Sequence, residues 1–369
     1  MTREHNIDQA KSEAFAEQML SILNHGALAL MISIGHKTHL FDTLSSMAPS
    51  TSEQIAISTG LNERYVREWL AAMVTGCIIE YDPAQGTYRL PAEHAAWLTR
   101  DAGIQNMAFQ MQYIIMLAHV QEQIVDCFSR GGGVPYASFP DFQRLMAEES
   151  LQVMDGSLLQ VILPLVAGLE ERLQAGIDVA DIGCGSGHAL NIMAQAFPRS
   201  RFAGYDFSQE GIAAAQAEAK QMGLTNTRFE ARDVSRLDIP DHYDFITAFD
   251  SIHDQARPAE VLKVIEKALR PGGVFLMLDI RASSLLEENM KHPLAPFLYT
   301  ISCNHCMTVS LAEDGAGLGT MWGEQVASQM LREAGFTQLE VKHVKGDIAN
   351  SFYIASKSAG ETGKYVQLE

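Results

Sequence analysis

The sequence predicts an α/β protein whose strands and helices alternate around a parallel sheet, preceded by an α-rich winged-helix domain. Three observations carry this expectation. The stretch Val179-Ala-Asp-Ile-Gly-Cys-Gly-Ser-Gly-His-Ala-Leu190 reads as a short buried strand, a glycine-rich turn and the start of a helix. Behind it, apolar runs ending at Asp206, Asp233 and Asp250 alternate with helical patterns. Ahead of it, three helical segments and a hairpin pattern follow one another between Thr51 and Leu90.

Bulk composition sets the limits. The chain has 369 residues, 47% hydrophobic and 20% charged, which fits two domains of an ordinary globular protein. The divisions expected are 1–100 (winged helix), 101–170 (helical connector or lid), 171–357 with an insertion at 283–323, and a tail at 358–369. A formal net charge of −18 disfavours nucleic acid and anionic membrane as partners. Thr2 to Gln18 is polar, without the apolar core of a signal peptide. The run Ala27–Ile34 is too short to span a bilayer and is expected to be a buried helix. Five scattered cysteines without a secretory signal point to reduced thiols in the cytoplasm.

Taken in order, Asp8 to about Ser46 is helical, with Phe15, Met19, Ile22, Leu23 and Leu30 on an apolar face. Pro49 to Ser52 breaks it. Thr51 opens a helix that stops near Gly60, and Asn62 caps the next, through Trp69 to Gly76. Ile78–Tyr81 and Thr87–Leu90 form the hairpin. Arg64 and Arg67 stand beside Glu63 and Glu68, and Arg89 faces Glu80 and Asp82. That charge balance makes groove binding improbable and leaves dimerisation as the alternative. Asp101 to Arg130 is helical and rich in Met and aromatics, a core pattern first and an adaptable pocket wall second. Gly131-Gly-Gly-Val-Pro-Tyr136 is a loop, with Tyr136 and Phe139 able to cover a ligand or anchor the loop. Leu145 to Leu173 is helical again.

The second domain then runs strand (177–182), strand (201–205), helix to Met222, strand (227–231), strand (243–249), a helix opened by Pro258 and strand (274–278). Val326–Ala334, Leu339–Val344 and Phe352–Ala355 complete it. Ligands of such sheets bind beyond the C-terminal strand ends, where Asp181, Asp206, Asp233 and Asp250 fall. Gly183, Gly185 and Gly187 let a ligand approach the main chain, and the helix behind offers free N–H groups. Gly-x-Gly-x-Gly departs from the dinucleotide fingerprint, since His188 takes the place of its third glycine. Asp206, about twenty residues after the loop, is placed to accept ribose hydroxyls.

Asp181-x-Gly-x-Gly-x-Gly187 resembles the cofactor loop of the class I methyltransferases that use S-adenosylmethionine. The Asn62–Trp69 helix, the Gly131–Tyr136 loop and Gly317-Leu-Gly-Thr-Met-Trp-Gly-Glu324 resemble a bacterial group of these enzymes carrying an N-terminal winged helix. The resemblance implies a Rossmann-like sheet of seven strands, the last antiparallel, and S-adenosylmethionine as cofactor with S-adenosylhomocysteine as product. It also implies a homodimer. Cofactor contacts are expected from Asp181, Gly183, Cys184, Gly185, Gly187, Asp206, Phe207, Phe249 and Asp250, with Asp233 and Val234 bordering the adenine.

Methyl transfer from a sulfonium is an in-line displacement, so alignment and removal of the acceptor's proton remain for the protein. His253-Asp254 resembles the His-Asp pair of O-methyltransferases. His253 is therefore the expected general base, with Asp254 orienting the ring or capping the following helix. Its alternative is a structural turn residue. Cys303-Asn-His-Cys306 lacks a second Cys pair for tetrahedral zinc, and no metal is expected. Tyr113, His119, Tyr136, His305, Cys306 and Trp322 are candidate substrate contacts, Trp322 otherwise pinning its helix. The expected activity is methylation of a small, partly apolar molecule, oxygen first. Nitrogen or sulfur methylation without a base, a cofactor-sensing regulator and a silent dimerising subunit are the alternatives.

Overall fold

A computed structural model describes residues 7–358, so the expected tail falls outside the described residues except for its first position. The chain divides into two compact units between Ala118 and His119, which splits the 101–170 segment between them.

The first unit opens with α1 (Gln9–Lys37), capped by the Asp8 carboxylate, which accepts from the Lys11 amide. His39 in the left-handed region breaks it from α2 (Leu40–Ser46), so the expected continuous helix is two. The α1 apolar face is exposed within the chain: Phe15 at 60%, Leu23 at 68%. Ala27–Ile34 is only partly buried, and α1 as a whole is long and apolar enough to cross a membrane by length and composition. The run alone underestimates the helix because its polar flanks continue the same backbone hydrogen bonding.

α3 (Ser52–Thr59) begins with a Thr51–Gln54 capping box and ends at left-handed Gly60. α4 (Glu63–Thr75) is capped by Asn62 and buries Val66, Trp69, Leu70 and Met73. These pack with Leu40, Phe41, Leu44 and Ile55 into one core, and the Trp69 indole N–H donates to the Met31 carbonyl at 2.8 Å. β1 (Glu80–Asp82) and β2 (Thr87–Arg89) form an antiparallel wing shorter than the sequence pattern. Arg64 pairs with Glu68, Arg67 with Glu63 and Arg89 with Glu80, so the basic side chains of α4 and the wing are spent locally. α5 (Ala92–Leu98), a short 3-10 segment and α6 (Met107–His119) follow. In α6 the Met-rich pattern buries Phe109, Tyr113 and Met116.

In the second unit, α7 (Gln121–Arg130) leaves Phe128 80% exposed, so the core expectation fails at that residue. α8 (Phe142–Ser157), a π turn (Leu158–Ile162) and α9 (Leu169–Ala175) lead to the sheet. Its strands are β3 (Asp178–Ile182), β4 (Arg201–Asp206), β5 (Thr227–Ala231), β6 (Tyr243–Phe249), β7 (Leu269–Ile280), β8 (Gln338–Lys342) and β9 (Asn350–Ser356). They lie in the order β5-β4-β3-β6-β7-β9-β8, parallel except β9, which is antiparallel to both neighbours. β3 pairs Ile182 with Tyr205 and Val179 with Phe245, placing the ends of β3, β4 and β6 side by side.

The connecting helices are α10 (His188–Ala196), α11 (Gln209–Gln221), α12 (Pro258–Ala268) and α16 (Gly323–Ala334). α13 (Leu286–Asn289), α14 (Ala295–Ile301) and α15 (Met307–Ala312) occupy the insertion. Two apolar clusters cover the sheet. One contains Tyr205, Ile246, Phe275 and Leu331; the other Leu190, Phe202, Phe245 and Leu278. Burial on both sides is what continuous apolar strands require.

Candidate active site

The site is built from strand ends. After β3 the chain turns through Gly183, Gly185 and Gly187, all at positive φ. A Cβ on Gly183 would lie 2.4 Å from Ser251 Cβ, and one on Gly187 2.5 Å from Ala215 Cβ. Those two glycines serve packing as well as turning. Gly185 differs: nothing lies within 4 Å of its would-be Cβ, so bare main chain there faces open space. Its N–H donates to Asp206 Oδ2 at 2.8 Å, and Ser208 N–H donates to Asp206 Oδ1 at 2.7 Å. Each carboxylate oxygen keeps a second lone pair for a sugar hydroxyl. A Gly-rich turn with open space and a fixed, buried carboxylate at the neighbouring strand fits an adenosyl ligand.

Burial raises the pKa of Asp206 against its backbone N–H donors, and burial pushes Asp181 up to about 7 although Thr247 donates to it at 2.7 Å. Cys184 is a protonated thiol, held well above its ordinary pKa by burial and by Asp181. Asp233 is exposed, accepts from Ser235 N–H at 3.0 Å and pairs with Arg236, while Val234 is buried. Phe207 is exposed at the end of β4, and Phe249 half-buried at the end of β6. Asp250 follows at φ 50.

His253 is buried, and its Nδ1 lies 2.9 Å from Asp279 Oδ1. The same oxygen accepts from the Trp322 indole N–H at 2.9 Å and the Ile280 amide at 2.8 Å. Asp279 Oδ2 is buried without a hydrogen-bond partner. The ring's carboxylate partner is thus Asp279, not the adjacent Asp254 expected from the sequence. Asp254 instead accepts a short hydrogen bond from the Tyr136 hydroxyl. Burial raises Asp254 to about 6, and burial with Asp254 raises Tyr136 well above its ordinary value. Burial works to lower His253. The Asp279 carboxylate, with Cys306, outweighs it and holds the ring well above the ordinary imidazole pKa.

Asp279 is the residue missed by sequence reasoning. Its signal was a lone acid in the apolar run Val274–Ile280. Trp322 is buried in the sheet core with its indole N–H on Asp279, the placement the pinning alternative requires.

Tyr136 contacts Phe142 and Phe207 at ring distances of 5.5 and 5.1 Å. His305 stacks on Phe142 at 4.5 Å and meets Phe139 edge-on. Burial, with His253 nearby, lowers His305 to about 3, so this ring is neutral. Cys306 Sγ lies 3.8 Å from His305 Nδ1. Among the described residues the one group with metal-ligand spacing is Asp250, His253 and Asp279, and the Cys303–Cys306 cluster is not one. His119 is exposed at the end of α6, and Tyr113 belongs to the first unit, edge-on to Phe109.

His188, directly after the loop, was unexpected as a structural charge. Its Nδ1 lies 2.6 Å from Glu218 and its Nε2 3.0 Å from Asp155. An imidazole facing carboxylates on both sides must carry both protons. Burial lowers its pKa, but Glu218 and Asp155 outweigh that and raise it. The ion pair therefore stabilises below the ordinary imidazole pKa and is lost as pH rises through the raised one. His188→Gln is expected to cost about 1–2 kcal/mol at about pH 6 and less at about pH 9, measured by urea unfolding.

Residues 26–100 match the family described as the Rv2258c-like winged HTH domain, and residues 173–335 match the methyltransferase domain family. The chain is 26% identical over 148 residues to the malonyl-[acyl-carrier protein] O-methyltransferase of Bacillus cereus, covering 40% of this chain and 48% of that one. It spans less than half the length of that relative, and of the fatty-acid and ubiquinone-biosynthesis O-methyltransferases that it also matches. The mitomycin 7-O-methyltransferase MmcR superposes with a TM-score of 0.71 at 18% identity, over 94% of this chain and 99% of that one. Human N-acetylserotonin methyltransferase, solved with its cofactor, gives 0.68 at 18% identity, over 96% and 99%. Residues 173–335 belong to the methyltransferase domain family and follow a winged helix-turn-helix domain of the Rv2258c-like kind at 26–100, and the chain shares the fold of these solved methyltransferases.

Proposed function

We propose that this protein transfers a methyl group from S-adenosylmethionine to a hydroxyl of a small, partly apolar molecule, with His253 as general base. The observation that carries it is the His253–Asp279–Trp322 chain of hydrogen bonds beside the glycine loop. Gly183, Gly185, Gly187 and Asp206 would hold the cofactor, Asp206 through the ribose. Asp181, Cys184, Phe207, Asp233, Val234, Phe249 and Asp250 would border it. The bound cofactor supplies a methyl group on positively charged sulfur, already activated for displacement.

The protein's own work is to orient and to move a proton. Asp279 accepts from Nδ1–H, which leaves Nε2 as the atom that takes the acceptor's proton. The pKa of His253, held above the ordinary imidazole value by Asp279, better matches a weakly acidic hydroxyl. kcat/KM is therefore expected to climb with pH through and beyond the ordinary imidazole range until the raised pKa is passed. The ion pair's contribution to folding runs oppositely, present below the ordinary imidazole pKa and lost above the raised one. His253→Ala is expected to lower the single-turnover rate at least about tenfold with cofactor affinity intact. Near-wild-type turnover would remove the base role and favour nitrogen or sulfur as acceptor.

We also propose a cytoplasmic homodimer. The five free cysteines support the compartment. The exposed apolar side chains Phe15, Ile22 and Leu23 of α1 support self-association, which sedimentation equilibrium checks. The locally paired arginines of α4 speak against DNA as a partner.

A further inference from the structure

In the second unit, the segment 135–141 joins a fixed point on α15 to the start of α8. A Cβ on Gly133 would run into the Thr308 carbonyl oxygen, and the Val134 N–H donates to Thr308 Oγ1 at 2.8 Å. Gly131 and Gly132 before it stand at positive φ in open space. After it, α8 begins at Phe142. Among the described residues, the backbone hydrogen bonds of 135–140 stay local, from Ser138 N–H to the Pro135 carbonyl and from Phe139 N–H to the Tyr136 carbonyl. No ladder ties this strap to the sheet, so its side chains set its position.

Those side chains reach both halves of the site. The Tyr136 hydroxyl donates a short hydrogen bond to Asp254 Oδ2, one residue from His253. The same ring lies 5.1 Å from Phe207, which follows the Asp206 carboxylate. Phe139 and Tyr136 both meet the His305 ring edge-on, at 4.5 and 5.5 Å. At the start of α8, Gln143 approaches the glycine loop: a Cβ on Gly211 would meet the Gly185 carbonyl at 2.9 Å and the Gln143 side-chain oxygen at 3.5 Å. Strap and helix start therefore reach from the neighbour of the base to the bare main chain at Gly185. Ring contacts tolerate sliding, whereas a hydrogen bond to a carboxylate is directional and about twice as strong as a neutral one.

We propose that Tyr136 is a positioning residue that latches this strap onto Asp254, and that S-adenosylhomocysteine leaves only when the latch opens. This rests on the methyltransferase function proposed above and goes further by assigning Tyr136 to closure of the site rather than to acceptor recognition. A closed strap keeps water from His253 while the reacting groups are aligned. The latch also responds to pH. Burial raises Asp254 to about 6, while His253 beside it and the Tyr136 hydroxyl lower it, and Asp279 on β7 and Asp206 on β4 raise it. Burial and Asp254 keep the Tyr136 hydroxyl protonated, with Cys306 and Asp206 adding to the effect. Above about pH 6 the hydrogen bond is charge-assisted; as pH falls through that value Asp254 takes up a proton and the bond becomes a weaker, neutral one.

The test follows release of S-adenosylhomocysteine from the full chain by stopped flow, in wild type, Tyr136→Phe and Asp254→Asn. At about pH 7.5 both substitutions are expected to speed release about tenfold, and the gap to wild type should close as pH falls through about 6. Tyr136→Phe removes one oxygen and keeps the ring, so it decides the matter if Asp254→Asn fails to fold. A second measurement needs no cofactor: iodoacetamide should alkylate Cys306, buried beside His305, about tenfold faster in both variants at about pH 7.5. Release within about twofold of wild type overturns the inference. So does a gap that stays the same at about pH 5, which would assign the loss to packing alone. Failure of the wild-type chain to take up S-adenosylhomocysteine removes the methyltransferase function beneath the inference as well. Normal uptake with unchanged release and unchanged alkylation sinks the inference alone.

Discussion

Asp279→Asn is expected to lower kcat by about 10²–10⁴-fold while leaving S-adenosylmethionine affinity within about twofold. Asp279 Oδ1 fixes which His253 nitrogen carries the proton, and the amide can present a donor N–H where the carboxylate accepted. With the wrong tautomer, Nε2 is protonated and cannot act as base. The charge that raises the His253 pKa is lost as well, so burial dominates and the pH profile should move to lower pH. A merely structural role for Asp279 would not move that profile. Trp322→Phe removes one of the three donors on Oδ1 and should give a smaller loss in kcat, with the same sign.

Asp206→Ala is the second large effect. Its carboxylate anchors the loop at Gly185 and the start of α11 at Ser208, so the substitution leaves both amides without their partner. It also removes the acceptor for the ribose. Binding of S-adenosylmethionine is expected to weaken by about 100-fold or more, from the lost sugar contacts and the loosened loop. The unliganded protein should lose about 1–3 kcal/mol of stability, because two amides are left without their acceptor. Asp206→Asn, which keeps one acceptor, should fall between. Calorimetry for binding and urea unfolding for stability separate the two components.

The sheet was legible because β3, β4 and β6 are buried on both faces and read as continuous apolar runs closed by Gly or Asp. The caps at Thr51, Asn62 and Ser208 were legible for the same local reason: each side chain binds an amide within three residues. What escaped was set by distant partners. Asp254 neighbours His253 in sequence, but successive residues at a strand end diverge, and Asp254 turns to Tyr136 on a loop more than a hundred residues away. Asp279 reaches the ring because β7 lies beside β6 in register, Phe249 opposite Leu278. His188 looked like a missing glycine, and its charge depends on carboxylates brought by α8 and α11. The α1 stripe was legible as apolar, but its exposure depends on what the rest of the chain leaves uncovered.

Titration calorimetry of the intact chain against S-adenosylmethionine, S-adenosylhomocysteine and NAD addresses the cofactor loop most directly. Saturable binding of the first two near one per chain, lost in Asp206→Ala, with no heat from NAD, is the expected result. Uptake of NAD in their place, or no binding of either adenosyl compound, would contradict it.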